Sequence, residues 1–194
     1  MNLHSRISSD KGFVIGLAPM FEINDLAFRI LCRNYGVKLC WTGMINVHNW
    51  ASQPHSRSKL FNTCDIDRPL IIQLCGNDEN KLIACAKDLE QYAIAIDMNF
   101  GCTQHVAKKG QYGYFMVNSE GKRQNAIELV KSMKKSLNVP ITAKFRIIDG
   151  ADGQPDVELT KNFAIELEKA GVALISVHGR RKNSNKEGPV DAEA

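Results

Sequence analysis

The feature that most constrains this chain is a repeated change of period. Short β-rich apolar runs alternate with longer stretches whose apolar residues recur every three to four positions, the rhythm of βα units around a parallel sheet. The apolar runs are Phe13–Ala18, halted by Pro19, then Lys38–Thr42, Pro69–Leu74, Ile94–Met98, Pro140–Phe145 and Val172–Val177. The third is almost wholly apolar, as a strand buried on both faces has to be. Between the runs, Asn24 and Asp25 can cap a helix with Leu26, Ile30 and Leu31 inward, closed by Gly36. Asn77-Asp78-Glu79 starts another with Leu82, Cys85, Ala86 and Leu89 inward. Asn118 and Ser119 cap a third carrying Ile127, Val130, Met133 and Leu137, with Lys131, Lys134 and Lys135 facing water. Leu159, Phe163, Leu167 and Ala170 mark the last, ended by Gly171 after a turn signalled by Asp149-Gly150 and Asp152-Gly153. Residues 46–68 show no sustained periodicity and read as loop with room for one short helix.

Six parallel strands fit a doubly wound sheet or part of an eight-stranded barrel. The first strand-to-helix turn, Ala18-Pro19-Met20-Phe21-Glu22, carries no G-x-G-x-x-G, which disfavours a dinucleotide-binding sheet. The expected fold is therefore α/β, an incomplete TIM (β/α)8 barrel with about six of the eight βα units. At 194 residues the chain falls short of the roughly 250 typical of a closed barrel. The expected division is an N-terminal extension over 1–12, a partial barrel over 13–189 and a tail over 190–194.

Composition narrows the setting. With 44% apolar residues, 24% charged residues and a net charge of +4, the chain belongs with ordinary soluble globular proteins. No apolar run approaches the roughly 20 residues of a membrane-spanning helix, so no membrane partner and a cytoplasmic or nuclear location are expected. Six cysteines are scattered without a C-x-x-C pair, which suggests neither a zinc site nor a disulfide framework, and no metal is expected.

Function in a barrel of this kind collects at the C-terminal ends of the strands. There the sequence places Pro19 and Met20, Thr42 and Met44, Gln73 and Cys75, Asn99 and Cys102, Lys144 and Arg146, and His178 and Arg180. Lys144 interrupts an apolar strand. It either pairs with a carboxylate such as Asp97 or serves a ligand, and an electron-rich ring such as a flavin would suit it, with Gln73 bonding the same ring. His178 reads as a phosphate ligand or as the partner of a buried carbonyl. In Asn99-Phe-Gly-Cys102 a glycine permits close backbone approach beside a thiol. That thiol can donate a proton, act as a nucleophile with His105 as base, or simply be buried. Lys108 and Lys109 after Cys102, and Arg180, Arg181 and Lys182 after His178, put positive charge at the same end, as a phosphate-bearing substrate would require.

Together these residues resemble the tRNA-dihydrouridine synthases, and most closely the eukaryotic branch that acts on D-loop uridines 16/17. The resemblance runs from about Gly16 to Pro189 and is carried by Leu17-Ala-Pro-Met20 with Phe28-Arg29, Arg68-Pro-Leu-Ile-Ile-Gln-Leu-Cys-Gly-Asn-Asp78, Ile96-Asp-Met-Asn-Phe-Gly-Cys102 with Ala107-Lys-Lys-Gly-Gln-Tyr-Gly113, Ala143-Lys-Phe-Arg146 and Val177-His-Gly-Arg180. It implies an oxidoreductase with bound FMN, Ala18, Pro19 and Met20 under the ring, Gln73 and Lys144 at its polar edge, and His178 toward its phosphate. NADPH would reduce the flavin, hydride would pass to uracil C6, and Cys102 would protonate C5 as general acid. Asn99 would orient the flipped uracil, while Lys108, Arg146 and Arg180 would bind the tRNA. A monomer is expected.

Three positions depart from the family pattern. Thr103 follows the cysteine where the family has Pro, Gly43 stands in place of Glu or Pro, and Tyr114 replaces a small residue. The family's last two strands and its C-terminal helical tRNA-binding domain have no counterpart after Pro189. The competing readings are a flavin dehydrogenase of free pyrimidines and a truncated, inactive fragment.

Overall fold

A computed structural model of the chain describes residues 3, 7, 13–182 and 190. The expected extension over 1–12 and tail over 190–194 lie almost wholly outside them. The chain packs as two compact units, Met1–Asp97 with Leu137–Pro140, and Met98–Ser136 with Ile141–Ala194.

In the first unit, β1 (Gly16–Leu17), β2 (Leu39–Trp41) and β4 (Leu70–Cys75) lie in that order, followed by the first half of β5 (Ala95–Phe100), while β3 (Ile45–Asn46) pairs with β4. The pairings of β1 with β2, β2 with β4 and β3 with β4 are parallel. Every residue of β4 is buried, as its apolar run requires. The helices are α1 (Leu26–Asn34), α2 (Val47–Ser52), α3 (Arg57–Leu60) and α4 (Glu79–Leu89). Asp25 caps α1 by accepting from Phe28 N at 2.7 Å, and Asp78 caps α4 through Lys81 N at 3.0 Å. The residues that α4 buries are Leu82, Cys85, Ala86 and Leu89, the face read from its periodicity.

Helix α1 departs from expectation. Leu31 is 50% exposed, and the buried residue is Arg29. Charge pairing reverses the apolar pattern here: Arg29 Nε and Nη2 donate to Asp67 Oδ2 at 3.0 and 2.7 Å, and Nη1 donates to Asn24 O at 2.7 Å. Arg33 Nε reaches the other Asp67 oxygen at 3.2 Å. Asp67 is fully buried, and with its oxygens so filled the carboxylate can stay there. The stretch 46–68 holds two short helices and a 3-10 turn at Pro54–Ser56 rather than one helix; elements of four to six residues are too brief to leave a periodic signature.

The second unit takes the other half of β5, then β6 (Ile141–Arg146) and β7 (Leu174–His178), with α5 (His105–Gly110), α6 (Glu120–Ser136) and α7 (Val157–Lys169). Strands β6 and β7 pair in parallel from Thr142 opposite Leu174 to Arg146 opposite His178. Phe163 of α7 packs edge-on against Phe100 and Phe145 of the sheet, with centroids 6.2 and 5.2 Å away. Helix α6 buries Ile127, Val130 and Met133 as its stripe predicts. Helix α5 and a 3-10 turn at Gly113–Met116 occupy what reads in sequence as a plain loop; α5 ends on Gln111, which adopts the left-handed conformation.

Helices thus alternate with the strands of a parallel sheet, except between β2 and β3, which follow one another directly. The fold is α/β, an incomplete (β/α)8 barrel holding about six of the eight units. No helix among the described residues is long and apolar enough to cross a membrane.

Candidate active site

Side chains alternate across a strand, so β6 sends Ile141, Ala143 and Phe145 into the apolar core and Thr142, Lys144 and Arg146 to its other face. The β6–β7 register sets Lys144 opposite Ser176 and Arg146 opposite His178, which gathers a lysine, an arginine and a histidine on one face at the strand ends. Burial lowers the pKa of Arg146. Its Nε donates to Gly101 O at 2.7 Å and its Nη1 to Arg180 O at 3.4 Å, so one guanidinium holds the backbone that follows β5 and the backbone that follows β7.

Cys102 sits in the first of those loops, half-buried. Asn99 Oδ1 accepts from the N–H groups of Gly101 at 3.0 Å and Cys102 at 2.9 Å, and Tyr114 N donates to Cys102 O at 3.0 Å. Both main-chain groups of Cys102 are therefore engaged. Gly113 adopts a left-handed φ of 64°, and a Cβ there would lie 2.7 Å from Cys102 O, so only glycine fits against this loop. Burial raises the thiol pKa, partly offset by the Gln104 N–H and by the charge of Arg146. His105, the base that a nucleophilic cysteine would need, is not among the groups acting on the thiol.

At the end of β7, His178 is pushed down to about 4, chiefly by burial and then by Arg146, Lys144 and Arg180. Its imidazole is neutral at neutral pH and offers one donor and one acceptor. Arg180 keeps a buried Nε with no hydrogen-bond partner among the described residues. Lys108 stands apart, exposed on α5.

In the first unit, Ala18, Pro19 and Met20 form the turn after β1. Asn24 Nδ2 ties that turn down by donating to Ala18 O at 2.8 Å and Trp41 O at 2.9 Å. A Cβ at Gly43 would lie 3.0 Å from Met20 O, a tight contact against the same turn. Gln73 is buried; its Nε2 donates to Asp97 Oδ2 at 2.7 Å and its backbone N–H to Thr42 Oγ1 at 3.0 Å.

The second unit thus brings Asn99, Cys102, Lys144, Arg146, His178 and Arg180 to its strand ends, and the first unit groups Ala18, Pro19 and Met20 in one turn. Sequence reasoning did not single out Asn24 as the anchor of that turn, or Gly113 and Tyr114 as supports of Cys102. The glycines at 110 and 113, closely spaced after a predicted strand, were the one available signal for the latter.

The model of the dihydrouridine synthase family matches residues 16–194. The tRNA-dihydrouridine(16/17) synthase (NAD(P)(+)) of Saccharomyces cerevisiae is 39% identical over 167 residues, covering 84% of this chain and 37% of that protein. A rat (Rattus norvegicus) protein named as like the same enzyme is 36% identical over 180 residues, covering 92% of this chain and 39% of its own length. The chain spans about two fifths of the length of these curated relatives. The carboxyl transferase domain of Rhizobium etli pyruvate carboxylase superposes with a TM-score of 0.52 at 13% identity, over 93% of this chain and 29% of that one, a likeness of fold alone. With a family match that starts at β1 and takes in every strand above, this chain belongs to the dihydrouridine synthase family.

Proposed function

We propose that the chain carries the catalytic apparatus of an FMN-dependent tRNA-dihydrouridine synthase. It reduces the C5=C6 bond of a D-loop uridine with NADPH as reductant and Cys102 as proton donor. The observation that carries this reading is the setting of Cys102: a half-buried thiol held through both its main-chain groups, whose pKa burial raises above the ordinary thiol value. Such a group is an acid before it is a nucleophile, and protonation of a carbanion-like C5 needs an acid.

The second unit also fits a flavin. Lys144 and Arg180 are cationic, Arg180 Nε is a buried donor lacking a partner among the described residues, and the neutral imidazole of His178 supplies a further N–H. An anionic phosphate and an electron-rich ring are the chemistry that such a set accepts. When bound, FMN supplies the hydride.

In this reading Lys144 offsets negative charge at the ring's polar edge, and His178 donates toward the phosphate. Ala18, Pro19, Met20 and Gln73 take the cofactor roles implied by their motifs. Cys102 delivers its proton to uracil C5, Arg146 and Arg180 bind the substrate, and Asn99, which fixes the Cys102 loop, orients the base. Exposed Lys108 meets the tRNA backbone. The (16/17) site choice rests on the names of the relatives.

The purified chain should carry flavin absorbance and form dihydrouridine in unmodified tRNA with NADPH. Cys102→Ala should keep the colour and lose most turnover. Colourless, inactive protein overturns the reading, as does reduction of free uracil without tRNA.

A further inference from the structure

The second unit buries a tyrosine, Tyr114, whose hydroxyl the chemistry above does not use. Tyr114 is 2% exposed, and its backbone N–H is the group that donates to Cys102 O. Its hydroxyl donates to Asp149 Oδ2 at 3.3 Å and accepts from the Asp149 backbone N–H at 3.2 Å. Asp149 opens the turn after β6, which is closed by its bridge to Pro155 and by a 2.8 Å bond from Gly150 N to Gln154 O. From the chain after β7, Arg181 pairs with Asp149 at 3.4 Å and donates to Gly153 O. Lys182 Nζ lies over the same ring, 5.6 Å from its centroid, and 5.8 Å from that of Phe115. One side chain therefore joins the loops that follow β5, β6 and β7.

Its own main chain holds Cys102, and Gly113 packs against that residue with no room for a Cβ. Slack introduced at Tyr114 is passed to the Cys102 loop through the Tyr114 N–H and the tight Gly113 contact. The family's small residue at this position could form the same backbone bond but not the latch.

We propose that Tyr114 is a positioning residue for Cys102: its ring, latched to Asp149 and capped by Lys182, fixes the main chain that keeps the thiol in place and half-buried. Its bearing on catalysis rests on the reading of Cys102 as proton donor. The geometry stands apart from that reading, and so does the test.

The experiment follows iodoacetamide labelling of each cysteine in the full chain by peptide mass spectrometry from pH 7 to 10, without flavin or tRNA. Arg146 and the Gln104 N–H, which act on the thiol, are unchanged in every variant. In the native chain Cys102 should label slowly, with a midpoint above the ordinary thiol value. Tyr114→Ala should speed Cys102 labelling at pH 8 by roughly fivefold or more and move its midpoint down, because a less buried thiol ionises more readily. Tyr114→Phe keeps the ring but loses the latch, and should give about a twofold to threefold rise. Cys64, exposed in the first unit, should label as before.

Cys85 in the first unit, pushed up to about 12 by burial, reports by staying unlabelled that this unit is intact, and an unchanged far-ultraviolet circular dichroism spectrum and melting transition report that the second unit holds its fold. If Tyr114→Ala loses either signal, the Phe variant carries the test. An unchanged Cys102 rate and midpoint in a folded variant overturns the proposal. Unchanged turnover in Cys102→Ala would instead overturn the catalytic reading and leave this one standing.

Discussion

Asn99 Oδ1 accepts the backbone N–H of Cys102 at 2.9 Å, and the same oxygen accepts Gly101 N at 3.0 Å. A strand residue thereby fixes the first residues beyond its own strand, so the thiol is aimed by β5 itself. Asn99→Ala leaves two N–H groups seeking partners, which should cost about 1–2 kcal/mol and loosen the loop. Turnover should fall by an order of magnitude with flavin still bound. Asn99→Asp keeps the acceptor but sets a negative charge beside the thiol, so the Cys102 midpoint should rise while the fold holds. Labelling kinetics and thermal melts separate the two variants, and equal behaviour of both would contradict an aiming role.

The pH dependence of turnover follows from the sign of the Cys102 shift. A general acid works only while protonated, so activity should persist through neutral pH and fall as pH rises through the thiol pKa. Burial places that pKa above the ordinary value of about 8.5. The limb should be measured as single-turnover rates with prereduced enzyme, so that NADPH oxidation does not mask it. A descending limb centred below pH 8 would be incompatible with Cys102 as the acid.

Removing one partner from the buried Arg29–Asp67 pair should be far costlier than removing a surface ion pair. Asp67 has no exposed side-chain surface, and Arg29 would be left a buried, uncompensated cation. Asp67→Ala should lose about 3–5 kcal/mol, roughly a 10 °C drop in melting temperature for a chain of this size. Arg33→Ala should lose less, because Arg33 contacts the carboxylate from a partly exposed position. Thermal denaturation followed by circular dichroism decides the matter, and equal losses would refute this ranking.

The fold was legible where the period was sustained. The wholly buried β4 and the inward face of α4 follow directly from apolar spacing. The short helices within 46–68 escaped because they are too brief to show a period, and two other misses come from tertiary pairing of polar groups. No periodicity announces that Arg29 is buried in α1, because its partner Asp67 lies 38 residues away. Likewise Tyr114 and Asp149 meet across 35 residues. At the candidate site the strand ends named Cys102, Lys144, Arg146 and His178, since a polar residue within an apolar run is conspicuous. What holds Cys102 in place was not visible, because Gly113 acts through an absent Cβ and Tyr114 through its backbone.

His178 gives the last prediction, on stability rather than turnover. Its folded pKa of about 4 lies below the ordinary histidine value near 6.5, so between these limits the unfolded chain binds more protons than the folded one. The contribution is therefore complete above pH 6.5 and is lost as pH falls toward 4. Its size is below that of a fully buried histidine, because His178 is only half-buried and water screens the three cations that depress it. Urea unfolding midpoints should fall with pH over this window in the native chain and fall less steeply in His178→Gln, which keeps a donor and an acceptor but cannot charge. The difference between the curves should stop changing above about pH 7.5, where both side chains are neutral in both states. Curves that stay parallel from pH 7 to 4 would mean that the imidazole charges freely inside this cationic cluster.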